Sequence, residues 1–128
     1  NINPKEKQFL KDNNVIDLSD EIDTGNDAFI DSVSIFHNVD LVISTDTSIL
    51  HLSASLGIKT WALLTYTPEY RWGLDERTIW YPEMELFRQE KIKGQTGIYS
   101  EDWRIILNTI KSRSTKNCYR LFFIIFFN

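Results

Sequence analysis

Asp46, Thr47, Ser48 and His51 fall within six consecutive positions, and each carries a group that can bond an anion or a sugar hydroxyl. They stand where Leu41-Val-Ile43, an unbroken apolar run, gives way to the helical pattern beginning at Ser48. The first N–H groups of a helix lack intrahelical acceptors, so Thr47 and Ser48 would offer both backbone and hydroxyl donors to a phosphate. His51 follows Thr47 by four residues and Ser48 by three, which puts it on the same helix face one turn on. Its imidazole can reach a phosphate or a sugar hydroxyl held there. A carboxylate beside a phosphate is unfavourable unless it accepts from hydroxyls, so Asp46 suits a ribose or sugar diol, or the orientation of His51. The first expectation is therefore a phosphate-bearing ligand at Thr47 and Ser48.

A purely structural reading competes with this one. Asp46 or Thr47 would cap the helix, and His51 would be a half-buried helix residue with no ligand. Arg71-Trp72 and Trp80-Tyr81 have the faces to clamp a nucleotide base and its phosphates. The four tryptophans would equally pack one edge of a core. His37 ends a helix, where a cation is favoured, and takes no catalytic role. Glu76, Glu83, Glu85 and Glu90 read as a solvated face.

The elements that must position these groups follow from pattern. Val15-Ile-Asp-Leu18 is a short strand candidate. Ala28, Phe29, Val33, Phe36 and, less regularly, Ile30 fall at helical spacing after Asp27, a candidate N-cap, and that helix should fade near His37. Leu41–Ile43 reads as a central parallel strand covered on both faces. The helix from Ser48 to Leu56 should end at Gly57, followed by the buried strand Thr60–Leu64. Thr65 to Glu83 reads as a long functional loop with one helical turn. Glu85 to Gln89 is a further strand. Ser100 should cap a last helix whose apolar stripe is Trp103, Ile106, Leu107 and Ile110. Alternating strands and helices make a doubly wound α/β layer structure.

With 128 residues, one domain with a real core is expected. A net charge of −4 argues against a general nucleic-acid binder. Cys118 is the single cysteine, so no intramolecular disulfide and no cysteine-based zinc site can form. A reducing, cytoplasmic setting fits. The chain opens on Asn1 rather than methionine, which reads as a fragment or processed product. The apolar run Leu121-Phe-Phe-Ile-Ile-Phe-Phe127 falls far short of the about 20 residues a membrane-spanning helix needs. It reads as an edge strand or an out-of-register terminus, with contact at the inner membrane surface as the minor alternative.

Ser44-Thr-Asp46-Thr47-Ser48-Ile-Leu-His51-Leu-Ser-Ala-Ser-Leu-Gly57 resembles the Asp-Thr-Gly-x-x-His-Leu-x-x-Ala-x-Gly signature of the ADP-heptose:lipopolysaccharide heptosyltransferases. The chain looks closer still to the glycosyltransferase-like domain that follows tetratricopeptide repeats in many bacterial proteins. That domain carries a strand like Thr60–Leu64, then segments matched here by Pro68-Glu-Tyr-Arg71-Trp72, Trp80-Tyr81-Pro82 and Leu86-Phe87-Arg88-Gln89. The resemblance runs from about Val15 to Lys111, with Ser48 standing where the family has glycine.

The resemblance implies a Rossmann-like three-layer α/β/α domain with a mainly parallel sheet, the C-terminal, donor-binding half of a GT-B fold. Residues 1–113 would form that domain and 114–128 an atypical apolar tail, the latter suggesting a truncated or altered reading frame. Asp46, Thr47 and His51 match positions that contact the phosphates and sugar of a nucleotide-diphospho-sugar, with His51 stabilising the leaving group. Ser48, Arg71 and Trp72 complete the expected donor site. Glycosyl transfer in this family requires no metal or other cofactor. The partner would be the N-terminal GT-B domain, which supplies the acceptor site and catalytic base, so the isolated chain is expected to be inactive. The alternatives are a non-catalytic binding or assembly module, and a fragment of a sugar-nucleotide epimerase.

Overall fold

The computed structural model describes residues 4–12, 15–18, 20–27, 29–66, 69–89, 106–113 and 121–124. They belong to two compact units, residues 1–32 and 33–128.

In the first unit, helix α1 spans Pro4–Asp12. Proline at its start costs no hydrogen bond, and Lys11 in its last turn complements the helix dipole. Sequence pattern did not single this helix out. The strand expected at Val15–Leu18 is not formed. Val15 and Ile16 are exposed, and among the described residues no strand pairs with them. Helix α2, Ile30–Phe36, begins later than Asp27 because its entry is set by a different aspartate. Asp23 Oδ1 accepts from the Asp31 N–H at 3.2 Å, Asp23 N–H donates to Asp31 Oδ2 at 2.9 Å, and Ser32 Oγ donates to Asp23 Oδ2. Asp23 is a capping residue placed further back along the chain than local pattern reaches.

The second unit is built on four parallel strands in the order β3-β2-β1-β4: β1 Leu41–Thr45, β2 Thr60–Leu64, β3 Glu85–Arg88 and β4 Leu121–Ile124. Val42 pairs with Thr60 and Phe122, and Ala62 with Leu86. Period-2 alternation then sorts the side chains. Leu41, Ile43, Trp61 and Leu63 face one side with Ile106 and Ile110 of helix α4, residues 106–113. Val42 meets Phe36 and Ile49 on the other side, where Ala62, Leu64 and Leu86 gather Leu50, Trp72 and Met84. This is a three-layer α/β/α arrangement of Rossmann-like type. The apolar run at the chain's end supplies the edge strand β4 beside β1.

Helix α3, Ser48–Ser55, links β1 to β2 and closes as the sequence implies. Gly57 takes φ +73°, its N–H donates to Ala54 O at 3.0 Å, and the Ile58 N–H donates to Ser53 O at 3.1 Å. These two bonds are a complete Schellman motif. The loop after β2 contains one helical turn, Tyr70–Trp72. Leu107, expected in the α4 stripe, is 39 % exposed, because among the described residues Ile106 and Ile110 supply the face turned to the sheet. The expected roles of Ala28, Pro68, Glu90, Ser100, Trp103 and Cys118 lie outside the described residues.

Candidate functional site

The strand order reverses at β1. The chain leaves β1 through α3 toward β2, and later returns past it through α4 to β4 on its other side. In open α/β sheets the crevice at such a switch, outside the carboxyl ends of the strands, is where ligands bind. Asp46 and Thr47 are the two residues between the end of β1 and the start of α3.

Thr47 is the N-cap of α3 by backbone position, with φ −138° and ψ 171°, yet no side chain caps the helix. Its hydroxyl lies 3.2 Å from Ser44 Oγ and 3.4 Å from Thr45 O. The first intrahelical bonds run from the Leu50 and His51 N–H groups to Thr47 O. The start of α3 therefore presents backbone donors beside the exposed Ser48, a setting that favours an anion.

Asp46 is held from across the chain. The buried Trp72 indole Nε1 donates to Asp46 Oδ2 at 2.7 Å. The other oxygen, Oδ1, stands 3.6 Å from His51 Nε2, attractive to an imidazolium but beyond hydrogen-bond length. His51 stacks on Trp72 with ring centroids 5.2 Å apart and planes 23° apart. Its Nδ1 lies 3.1 Å from the Tyr81 hydroxyl. Tyr81 and Trp72 thus fix the ring on two sides. The His51 and Asp46 side chains keep 31 % and 34 % of their surface exposed, so the gap between them opens to solvent. A ligand hydroxyl can donate to Asp46 and accept from an Nε2–H of His51.

The expected base clamp is not assembled. Trp72 is 1 % exposed and packs with Leu50, Leu64 and Met84, so its ring offers no free face to a base. Its contribution is to hold Asp46 and His51. Arg71 pairs with Glu69 and lies over the Tyr70 ring at 5.8 Å. Trp80 is 60 % exposed. Nor is Glu85 part of a solvated face: it accepts from Trp61 Nε1 at 3.3 Å and from Arg113 at 2.9 Å. Sequence reading assigned Arg88 no role. It follows the buried Leu86 by two positions in β3, and a charged residue on that face was the available signal.

Among the described residues no three metal-ligating side chains gather, and no helix is long and apolar enough to cross a membrane. Comparison with protein-family models, with curated proteins and with solved structures finds no match to this chain.

Proposed function

We propose that this chain is the nucleotide-diphospho-sugar-binding half of a glycosyltransferase. The observation that carries the reading is the Asp46–His51 pair at the carboxyl end of β1, beside the uncapped start of α3 and at the switch in strand order. A diphosphate would lie against the first turn of α3, with Thr47 and Ser48 donating. Negative charge grows on the leaving nucleoside diphosphate as the glycosidic bond breaks, and fixed donors aimed at that charge lower the barrier. His51 supplies one such donor, and Asp46, held by Trp72, accepts from a sugar hydroxyl or from His51 itself. The acceptor site and catalytic base would come from a second, N-terminal domain. Transfer would need no metal. With Cys118 as the single cysteine no intramolecular disulfide forms, and we place the reaction in the cytoplasm.

The test is calorimetric titration of the chain with UDP, ADP, GDP and their sugar conjugates. One nucleotide should bind saturably, and His51→Ala and Asp46→Ala should each weaken it at least tenfold. Unchanged affinity in both folded variants would reject the assignment.

A further inference from the structure

A second polar constellation lies away from His51, along the outer edge of β3. A cavity of about 650 Å³ is lined there by Arg77, Arg88 and Arg113 and by Asp75, Glu76 and Glu85, with Thr109 beside them. All three guanidiniums are engaged by the protein, but to different degrees. Arg77 Nη1 donates to Pro82 O at 3.0 Å, and Arg113 Nη1 donates to Glu85 Oε2 at 2.9 Å while its guanidinium carbon sits 5.3 Å from the Phe87 ring centroid. Arg88 differs from both. Its Nη2 donates to Trp72 O at 2.7 Å and to Asp75 O at 3.2 Å, but Nε and Nη1 are buried and have no hydrogen-bond partner. A guanidinium carries five N–H donors, so most of this one is unsatisfied.

A desolvated cation with open donors is costly, and the cost falls when an anion completes its bonding. Burial lowers the Arg88 pKa from its ordinary value, and the nearby Asp75 charge only partly opposes this. Neither backbone carbonyl that Arg88 holds can neutralise it. Three carboxylates line the cavity: Glu85 is committed to Arg113 and Trp61, and among the described residues neither the Asp75 nor the Glu76 side chain hydrogen-bonds the Arg88 guanidinium.

We propose that this cavity is a second binding site, for a ligand bearing an oxyanion group, phosphate or carboxylate, that Arg88 recognises. The planar guanidinium matches either group with paired N–H donors, an interaction stronger and more directional than a lysine would give. The cavity is far larger than a lone phosphate, so the anionic group is one end of a larger molecule. This site shares no side chain with the Asp46–His51 pair and stands or falls independently of the proposed transferase reading.

The experiment is NMR of the full chain labelled with 15N, following the Arg88 Nε–H resonance assigned through bonds to the backbone. The probes are inorganic phosphate and, in parallel, acetate, each against sodium chloride at matched ionic strength. The expected result is a saturable shift of that resonance. Saturation by phosphate alone assigns a phosphate ligand, by acetate alone a carboxylate, and by both the oxyanion class. Thr109→Trp retains Arg88 while bringing an indole into the cavity, and should weaken the response at least tenfold. Arg88→Lys should abolish tight recognition, and the Thr109 variant keeps the test intact if Arg88→Lys fails to fold. No saturable shift, a shift that chloride reproduces, or an unchanged response in Thr109→Trp overturns the proposal.

Discussion

Trp72 donates its indole N–H to Asp46 Oδ2 at 2.7 Å, joining residues 26 apart in sequence and fixing the carboxylate beside His51. A hydrogen bond to a charged acceptor contributes about 1.5–3 kcal/mol, more than a neutral one. Trp72→Phe keeps an aromatic ring in the pocket formed by Leu50, Leu64 and Met84 but removes the donor. The variant should fold, lose about 2 kcal/mol in urea denaturation, and bind nucleotide more weakly than the parent chain. Full stability with full affinity would show that Asp46 needs no anchor.

Tyr81 faces the other nitrogen of the same imidazole. With His51 Nε2 turned toward Asp46 and Nδ1 beside the Tyr81 hydroxyl, the neutral ring should carry its proton on Nε2 and accept from Tyr81 at Nδ1. Long-range 15N–1H correlation spectra report this directly. Tyr81→Phe should raise the share of the Nδ1–H form without unfolding the chain. Equal tautomer populations in the two proteins would mean that Tyr81 only packs against the ring.

How much of this was legible beforehand depended on distance along the chain. The run from Leu41 to Leu64 was readable because its signals are local: an apolar strand, a helix period, a C-terminal glycine and a second apolar strand. The grouping of Asp46, Thr47 and His51 was readable for the same reason. The partners of these residues were not. Trp72 and Tyr81 reach the site only because β2 and the following loop fold back over α3, and a tryptophan's pattern does not say whether its ring is free or buried. Asp23 was missed as a cap because it lies well before the first helical residue, whereas Asp27 sits in the usual place. Val15–Leu18 failed in the opposite way: the residue types favour a strand, but among the described residues no strand pairs with it.

Gly57 offers a test of local legibility. Its φ of +73° is a left-handed conformation, and a Cβ built there would meet nothing within 4 Å. Gly57→Ala should therefore cost only backbone strain, about 1–2 kcal/mol, with no steric clash. Urea denaturation should show the loss with an unchanged slope, since the surface exposed on unfolding is the same. A loss well above that range would indicate that the turn transmits strain to β2.

Helix α4 separates pattern from packing most sharply. A stripe drawn from sequence spacing includes Ile106, Leu107 and Ile110 alike, and propensity gives no reason to rank them. In the structure Ile106 and Ile110 are 6 % and 4 % exposed and lie in one cluster with Leu41, Ile43, Trp61 and Leu63, while Leu107 is 39 % exposed. Truncating a buried isoleucine removes its transfer free energy and leaves a cavity under the sheet, a loss of about 2–5 kcal/mol. Truncating Leu107 removes mostly solvated surface, and its cost should stay below about 1 kcal/mol. Ile110→Ala and Leu107→Ala, compared by denaturant midpoint in the full chain, should therefore differ by a wide margin. Similar losses would mean that α4 meets the sheet with a rotated face, which would also move Thr109 and Arg113 away from the Arg88 cavity.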